Sequence, residues 1–393
     1  MQMDKIGLIS TNLAEKIAMT VTEAPYRVTA ETISNTCGQT ISSSGVWNMM
    51  QRLGERIAEE EQYAVKEMHA ERAQGEKVIP VLFEEMDGIW LHMQNSNHRK
   101  MKKQEMKVFT MYEGWDKEQK KRSSLVEKTM LAGMESSQIF HEKREALIEK
   151  KYNADEIQQR ILNGDGGSWI RETYDPDAIF QLDRYHIYQE ILRKISDRDA
   201  QREADDVYEL FVKKLFEEEK ITELLEFILV YADSVETTDE KDKRSQKARE
   251  LYHYLNNNKD GLLPYQKQGR KIPEPREGIV YKNMGVQESQ NCTVITMRMK
   301  HRRMRWSAKG ANNLAKVLCC KENKELCSTI ERYTDGLIFH ARMNEVIETL
   351  SAAKAPKKDG KGNPYVDVIR GHVSLLDAAT SASRKVFRDA FIR

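Results

Sequence analysis

Cysteine, proline and long apolar runs are all scarce in this sequence. Five cysteines stand among 393 residues, at positions 37, 292, 319, 320 and 327. An odd count, in a chain with no secretory signal behind Met1, argues for reduced thiols in a cytoplasm and against a disulfide framework. Cys319, Cys320 and Cys327 also lack the paired C-x-x-C spacing of a zinc site. No apolar run approaches the roughly 20 residues of a membrane span, so a membrane role is not expected. No internal repeat is evident, which leaves out solenoids and propellers. Only eight prolines occur; those at 264, 273 and 275 cluster where a helical stretch closes. An excess of one charge is absent too, but the formal net charge of +1 hides strong local segregation.

Hydrophobic residues make up 39% and charged residues 32% of the chain, the balance of a soluble, polar protein. Its length suggests two or three units with a sizeable core. Residues 11 to 62 read as helices with turns between them. A short helix from Val28 ends near Gly38, and Ser42 to Ser44 offer an N-cap to a longer helix from Gly45. Short helix, glycine turn and capped longer helix is the layout of a helix-turn-helix, and equally of a plain helical hairpin. Glu59, Glu60 and Glu61 make the end of that helix acidic.

Residues 78 to 94 read as a strand pair. Val81, Phe83, Glu85 and Asp87 alternate onto one face, with Asp87-Gly88 as a tight turn or bulge. After a basic connector, Arg99 to Lys103, a third strand is expected over Met106 to Trp115. A helix follows from about Ser137 to Lys151. Two short apolar runs then end in acids, Arg160 to Asn163 before Gly164-Asp165-Gly166, and Ala178 to Leu182 before Asp183. Runs of that length which stop at Gly or Asp read as buried strands. Groups at the carboxyl ends of strands in an open α/β sheet share one crevice, so Asp165 and Asp183 are expected side by side at the sheet edge. Two such acids are raw material for a divalent-metal site. They are also ordinary turn and helix-cap chemistry. Trp169, beside the first of these strands, reads as core rather than as a base-stacking surface.

From Asp197 to about Arg276 the pattern becomes helical and highly charged, with apolar positions at three- and four-residue spacing. It reads as an all-helical insertion. Residues 283 to 318 then change character: between Glu288 and Lys316 no acid occurs, and six of the twelve residues from Arg298 to Lys309 are basic. Arg298, Lys300, Arg302, Arg303, Arg305, Trp306 and Lys309 suit a phosphate backbone beside a metal, or else a solvated basic face.

Taken together, Asp87-Gly88, Gly164-Asp165-Gly166, Asp183-x-x-His186 and the stretch from Gly285 through Glu288 to Asn291 resemble bacterial insertion-sequence transposases of the ISLre type. That family is long catalogued as uncharacterised and is related to the Mutator-like DDE superfamily. The run from Arg298 to Ser307 is similar to a basic element of the same family. The resemblance covers about residues 10 to 320. It implies a ribonuclease H-like α/β catalytic domain with Asp87, Asp165 and Glu288 as the catalytic, metal-binding triad for Mg²⁺ or Mn²⁺. Glu85, Asp183 and His186 are implied to support them. The implied activity is cleavage of DNA ends and strand transfer; the alternative is a non-catalytic or truncated relative that binds element ends without joining them. Double-stranded DNA and further copies of the chain are the implied partners, at the bacterial nucleoid. Family members generally carry a longer N-terminal region, so this chain reads as a shortened copy. The expected organisation is an N-terminal helical region at 1–75, the catalytic core at 76–196 and 278–330, the helical insertion at 197–277, and a helical tail at 331–393.

Overall fold

The computed structural model describes residues 10–333, apart from 39, 73–74, 119–123, 173–174, 196–202, 240–241 and 302–303. Helices α1 (Thr11–Glu23), α2 (Tyr26–Cys37) and α3 (Ser43–His69) come first. Strands β1 (Val81–Leu91), β2 (Gln104–Tyr112), β3 (Trp115–Asp116) and β4 (Thr129–Gly133) follow. Next come α4 (Ser137–Lys151), β5 (Gln159–Gly164), α5 (Ser168–Arg171), β6 (Ile179–Leu182) and α6 (Arg184–Lys194). Helices α7 (Glu203–Glu217), α8 (Ile221–Ser234) and α9 (Arg244–Asn257) precede β7 (Ile279–Val280). Helix α10 (Gln287–Gln290) continues through a π-helical turn, Asn291–Thr296, into α11 (Met297–Met299), and then come α12 (Ala308–Glu322) and α13 (Leu326–Tyr333). The helical tail expected beyond Tyr333, and the start expected for the helical insertion at 197, lie outside the described residues.

Two compact units emerge, one from the residues up to Ile57 together with those from Asn313, the other from Ala58–Asn312. In the first, the caps behave as the residue types require. Ser10 Oγ accepts from Leu13 N at 3.3 Å, Gly38 ends α2 with a left-handed φ of 65°, and Ser42 Oγ accepts from Gly45 N at 3.0 Å. Gly54 lies so close to the Asn313 backbone that a Cβ would not fit. Asn313 Nδ2 donates to the Gln51 carbonyl at 3.1 Å, which ties these helices together.

The second unit is mixed α/β. Its five-stranded sheet has the order β4-β2-β1-β5-β6; β1 runs antiparallel to β2, β2 antiparallel to β4, and the β1–β5 and β5–β6 pairs are parallel. Leu82, Met86, Phe109, Leu131 and Leu162 pack on one face against Phe140 and Ile148 of α4. Val81, Phe83, Tyr112, Trp115 and Ile161 pack on the other against Tyr265 and Met284. A separate helical core joins α6 to α7–α9 through Ile187, Ile191, Phe216, Ile228, Tyr231 and Leu251.

Two expectations about strands need correction. Asp87-Gly88 is no turn: β1 runs unbroken from Val81 to Leu91, and Gly88 pairs with Lys107 of β2. Consequently the third strand of the meander is Thr129–Gly133, a fully buried run that the sequence reading passed over. A Cβ at Gly88 would meet only the Glu105 side chain, which can shift aside.

Charge is also buried beneath the sheet. Arg160 of β5 donates from Nε to Glu84 at 2.6 Å and from Nη1 to Glu145 at 2.7 Å, while Arg144 Nη2 reaches Glu145 at 2.6 Å. Burial opposes ionisation of Glu145, but the charges and hydrogen bonds of Arg160 and Arg144 outweigh it and hold its carboxyl down to about 2.

Candidate active site

The register of the parallel strands sets out the site. Met86 pairs with Gly164, and Gly164 pairs with Leu182. The next residue on each chain is therefore an acid: Asp87, within β1, stands in a row with Asp165 and Asp183 at the carboxyl ends of β5 and β6. Strands lie about 4.8 Å apart, so the row spans about 10 Å. Such an edge of a sheet is where α/β proteins place their chemistry.

Each acid is held by its local turn. Asp165 Oδ1 accepts from Gly167 N at 2.8 Å, and Tyr254 Oη donates to the Asp165 carbonyl at 2.9 Å. A Cβ on Gly166 would sit 2.6 Å from Asn258 Oδ1, so only glycine permits this close approach. Asp183 caps α6, accepting from Tyr185 N at 3.0 Å. One turn on, His186 Nε2 stands 3.7 Å from Asp87 Oδ1. Asp87 Oδ2 accepts from Asn291 Nδ2 at 2.6 Å, and Asn291 in turn accepts from Gln287 Nε2 at 2.8 Å.

Glu288 reaches the site through Glu85. The Glu85 side chain is fully buried and accepts the Gly285, Val286 and Gln287 backbone N–H groups at 3.1, 3.2 and 3.1 Å. Tyr112 Oη donates to it at 2.6 Å and Asn163 Nδ2 at 3.1 Å. A carboxylate two residues before Asp87 thereby pins the start of the acidic helix to β1. Gly285 takes a φ of 121° there, a conformation that L side chains rarely adopt.

The acids sense one another. Burial raises the carboxyls of Asp165, Asp183 and Glu288 above the ordinary range, and the charge of Asp87 raises all three further. His186 responds in the opposite sense: burial disfavours its charge, but the nearby carboxylates of Asp87, Asp183 and Asp165 raise it to about 9. The imidazolium is thus a resident counter-ion for the row. Among the described residues, no group of three or more His, Cys, Asp or Glu side chains is arranged to hold a metal ion. In donor chemistry, mutually repelling carboxylate oxygens fit a hard divalent cation.

Sequence reasoning missed several neighbours. Glu105, half-buried, is raised by burial and then by the charges of Asp165 and Asp87. Tyr185 is 44% exposed beside the acids, and the charge of Glu288 is the main cause raising its hydroxyl. Asn291, named in the sequence motif without a role, lies one helical turn after Glu288.

The basic run divides. Arg298 and Trp306 are buried: the guanidinium lies 5.6 Å from the centre of the Trp306 ring, and Trp306 Nε1 donates to the Met299 carbonyl at 2.8 Å. Both were grouped with the DNA-facing residues on sequence, and both instead pack the segment together. Lys300, Arg305 and Lys309 are exposed, while Arg302 and Arg303 lie outside the described residues. Trp169 packs edge-on against Phe140, 6.1 Å between ring centres, beside the core. No described helix is long and apolar enough to cross a membrane.

Residues 1–332 match the profile of the Uncharacterised protein family (UPF0236). UPF0236 protein TTE2489 of Caldanaerobacter subterraneus subsp. tengcongensis is 25% identical over 185 residues, 45% of this chain and 34% of that relative. UPF0236 protein TTE1650/TTE2708 of the same strain is also 25% identical, over 45% of this chain and 32% of its own length. A third relative in that strain, 24% identical over 45% of this chain and 33% of its own length, bears a name that joins eleven locus designations. The chain spans about a third of the length of the curated relatives it matches.

Proposed function

The chain belongs to the Uncharacterised protein family (UPF0236), and we propose that it is a DDE-type DNA transposase of the ISLre kind. It would cleave the ends of an insertion sequence and transfer them to a target. The observation that carries this proposal is the row of Asp87, Asp165 and Asp183 on three parallel strands, with Glu288 pinned beside it by Glu85. Three antiparallel meander strands, then strand–helix repeats and a late acidic helix, support a ribonuclease H-like core. The eleven loci joined in one relative's name, all in one strain, are what DNA that copies itself leaves behind.

Asp87, Asp165 and Glu288 would hold Mg²⁺ or Mn²⁺, with Asp183 in reach as a further oxygen donor. Bound there, such ions supply an activated water or 3′-hydroxyl and stabilise the leaving oxygen. Asn291 fixes one oxygen of Asp87 and leaves the other facing His186. The His186 Nε2 proton offsets the acids while the site is open. Lys300, Arg305 and Lys309 would meet phosphates of double-stranded DNA without reading its sequence. Paired ends call for more than one copy of the chain, working at the nucleoid.

A second reading is a relative that binds element ends without cutting. The separating experiment incubates the protein and Mn²⁺ with labelled duplexes covering the DNA that flanks its coding sequence. Cutting with joining supports the transposase. Cutting alone makes it a nuclease, and binding alone makes it the non-catalytic relative.

A further inference from the structure

We propose that the hairpin between β1 and β2, His92 to Lys103, is a second phosphate-gripping element that forms one DNA-binding surface with the segment carrying Arg305. This rests on the DNA-processing reading above and names a contact which that reading leaves unassigned. No acid occurs between Leu91 and Glu105, whereas Arg99, Lys100, Lys102 and Lys103 crowd five positions.

The backbone builds this hairpin as a rigid feature. Asn95 Oδ1 accepts from Asn97 N at 3.0 Å and from Arg99 N at 2.9 Å, closing the tip. His98 takes a left-handed φ of 58°, and Met101 N donates to the Met93 carbonyl at 3.0 Å. The other edge of the hairpin is joined to the distant basic segment: Gln94 N donates to the Trp306 carbonyl at 2.8 Å, and Trp306 N to the His92 carbonyl at 3.0 Å. Residues 92–94 thus lie between the chain that carries Arg99 and Lys100 and the chain that carries Arg305. At about 4.8 Å per strand step, the outer two chains run about 10 Å apart. The burial of Trp306 and Arg298 now has a purpose, since they anchor this junction.

Some cations elsewhere in this unit are answered by acids: Lys214 and Lys220 by Glu218, Arg249 by Asp233, and Lys267 by Glu219. Arg99, Lys100, Lys102, Lys103, Lys300 and Arg305 are all exposed, and none makes an ion pair among the described residues. Leu91 lies four strand residues beyond Asp87, about 13 Å at 3.3 Å per residue. At about 3.4 Å per base step, the hairpin would grip phosphates about four nucleotides from the one facing the acids.

The test is a fluorescence-anisotropy titration of a labelled DNA duplex across a salt series. Wild-type protein is compared with a variant carrying Arg99→Gln, Lys100→Gln, Lys102→Gln and Lys103→Gln. These side chains are exposed, so their loss leaves the core intact. Each lost phosphate contact lowers the slope of log affinity against log salt by about 0.9, so the slope should fall by about 3 to 4. A control with Lys214, Lys220, Arg249 and Lys267 all changed to Gln should keep the wild-type slope. An unchanged slope in the hairpin variant, or an equal fall in the control, overturns the inference and leaves the transposase reading standing. A fall confined to an RNA duplex overturns it as well. Wild-type protein that binds no duplex DNA at low salt overturns both.

Discussion

Changing Glu85 to Gln asks whether one buried carboxylate holds the site together. The side chain is fully buried and accepts five hydrogen bonds, three from the backbone of Gly285 to Gln287 and one each from Tyr112 and Asn163. An amide retains one acceptor oxygen. With that oxygen facing Tyr112, Gly285 and Val286, its NH₂ confronts the donors Gln287 N and Asn163 Nδ2. Hydrogen bonds to a charged acceptor are worth about 1.5–3 kcal/mol each. Rotation of the Asn163 amide restores part of one, and neutralising a carboxylate whose burial already raises it returns some desolvation cost. The net loss should be about 2–4 kcal/mol, read from urea denaturation. Because the unpinned segment carries Glu288, DNA cleavage should fall at least tenfold while duplex affinity is kept. Tyr112→Phe, which removes one donor of the five, should cost about 1.5–2 kcal/mol, the low end of that range. A Glu85→Gln protein within about 0.5 kcal/mol of wild type that cuts normally would refute this pinning.

Three further outcomes are expected. Glu145 is held at about 2, below its ordinary 4.5. Its contribution is therefore fully present above pH 4.5 and is lost as pH falls towards 2, on the order of 3 kcal/mol; Glu145→Gln should flatten acid unfolding followed by circular dichroism across that window. A methyl group at Gly164 would press into Ile170 Cγ2 and the Met86 carbonyl, so Gly164→Ala should cost about 1–3 kcal/mol by overpacking, seen as a lower urea midpoint. Mn²⁺ should raise the melting temperature of wild-type protein, because a ligand specific to the folded state stabilises it. Asp87→Asn should lose that gain, and an equal gain in both proteins would place the ion elsewhere.

Much of the fold was legible where local chemistry is decisive. Helix α4 falls on Ser137–Lys151 as its pattern suggests, capped by Ser136, and both acid-terminated strands are present at β5 and β6. The failures share a cause: a partner distant in sequence decided the outcome. Asp87-Gly88 has the composition of a turn, but the unbroken ladder with β2, from Phe83 to Leu91, carries the strand straight through it. Thr129–Gly133 is short and buried throughout, so it shows no alternation to find. Arg144, Glu145 and Arg160 look like surface charge until they are seen to neutralise one another beneath the sheet. Arg298 and Trp306 belong to a basic run, yet the run folds over them. At the site, Asp165 and Asp183 could be placed together from strand endings alone. The role of Glu85 could not, because its backbone partners lie some 200 residues away.

The most direct measurement is nicking of supercoiled plasmid DNA in Mn²⁺ by wild-type protein and by Asp87→Asn, whose carboxylate stands at the β1 end of the row. Wild-type protein should nick, and folded Asp87→Asn protein should bind the plasmid with unchanged affinity and leave it intact. Asp87→Asn protein that nicks at the wild-type rate would contradict the account.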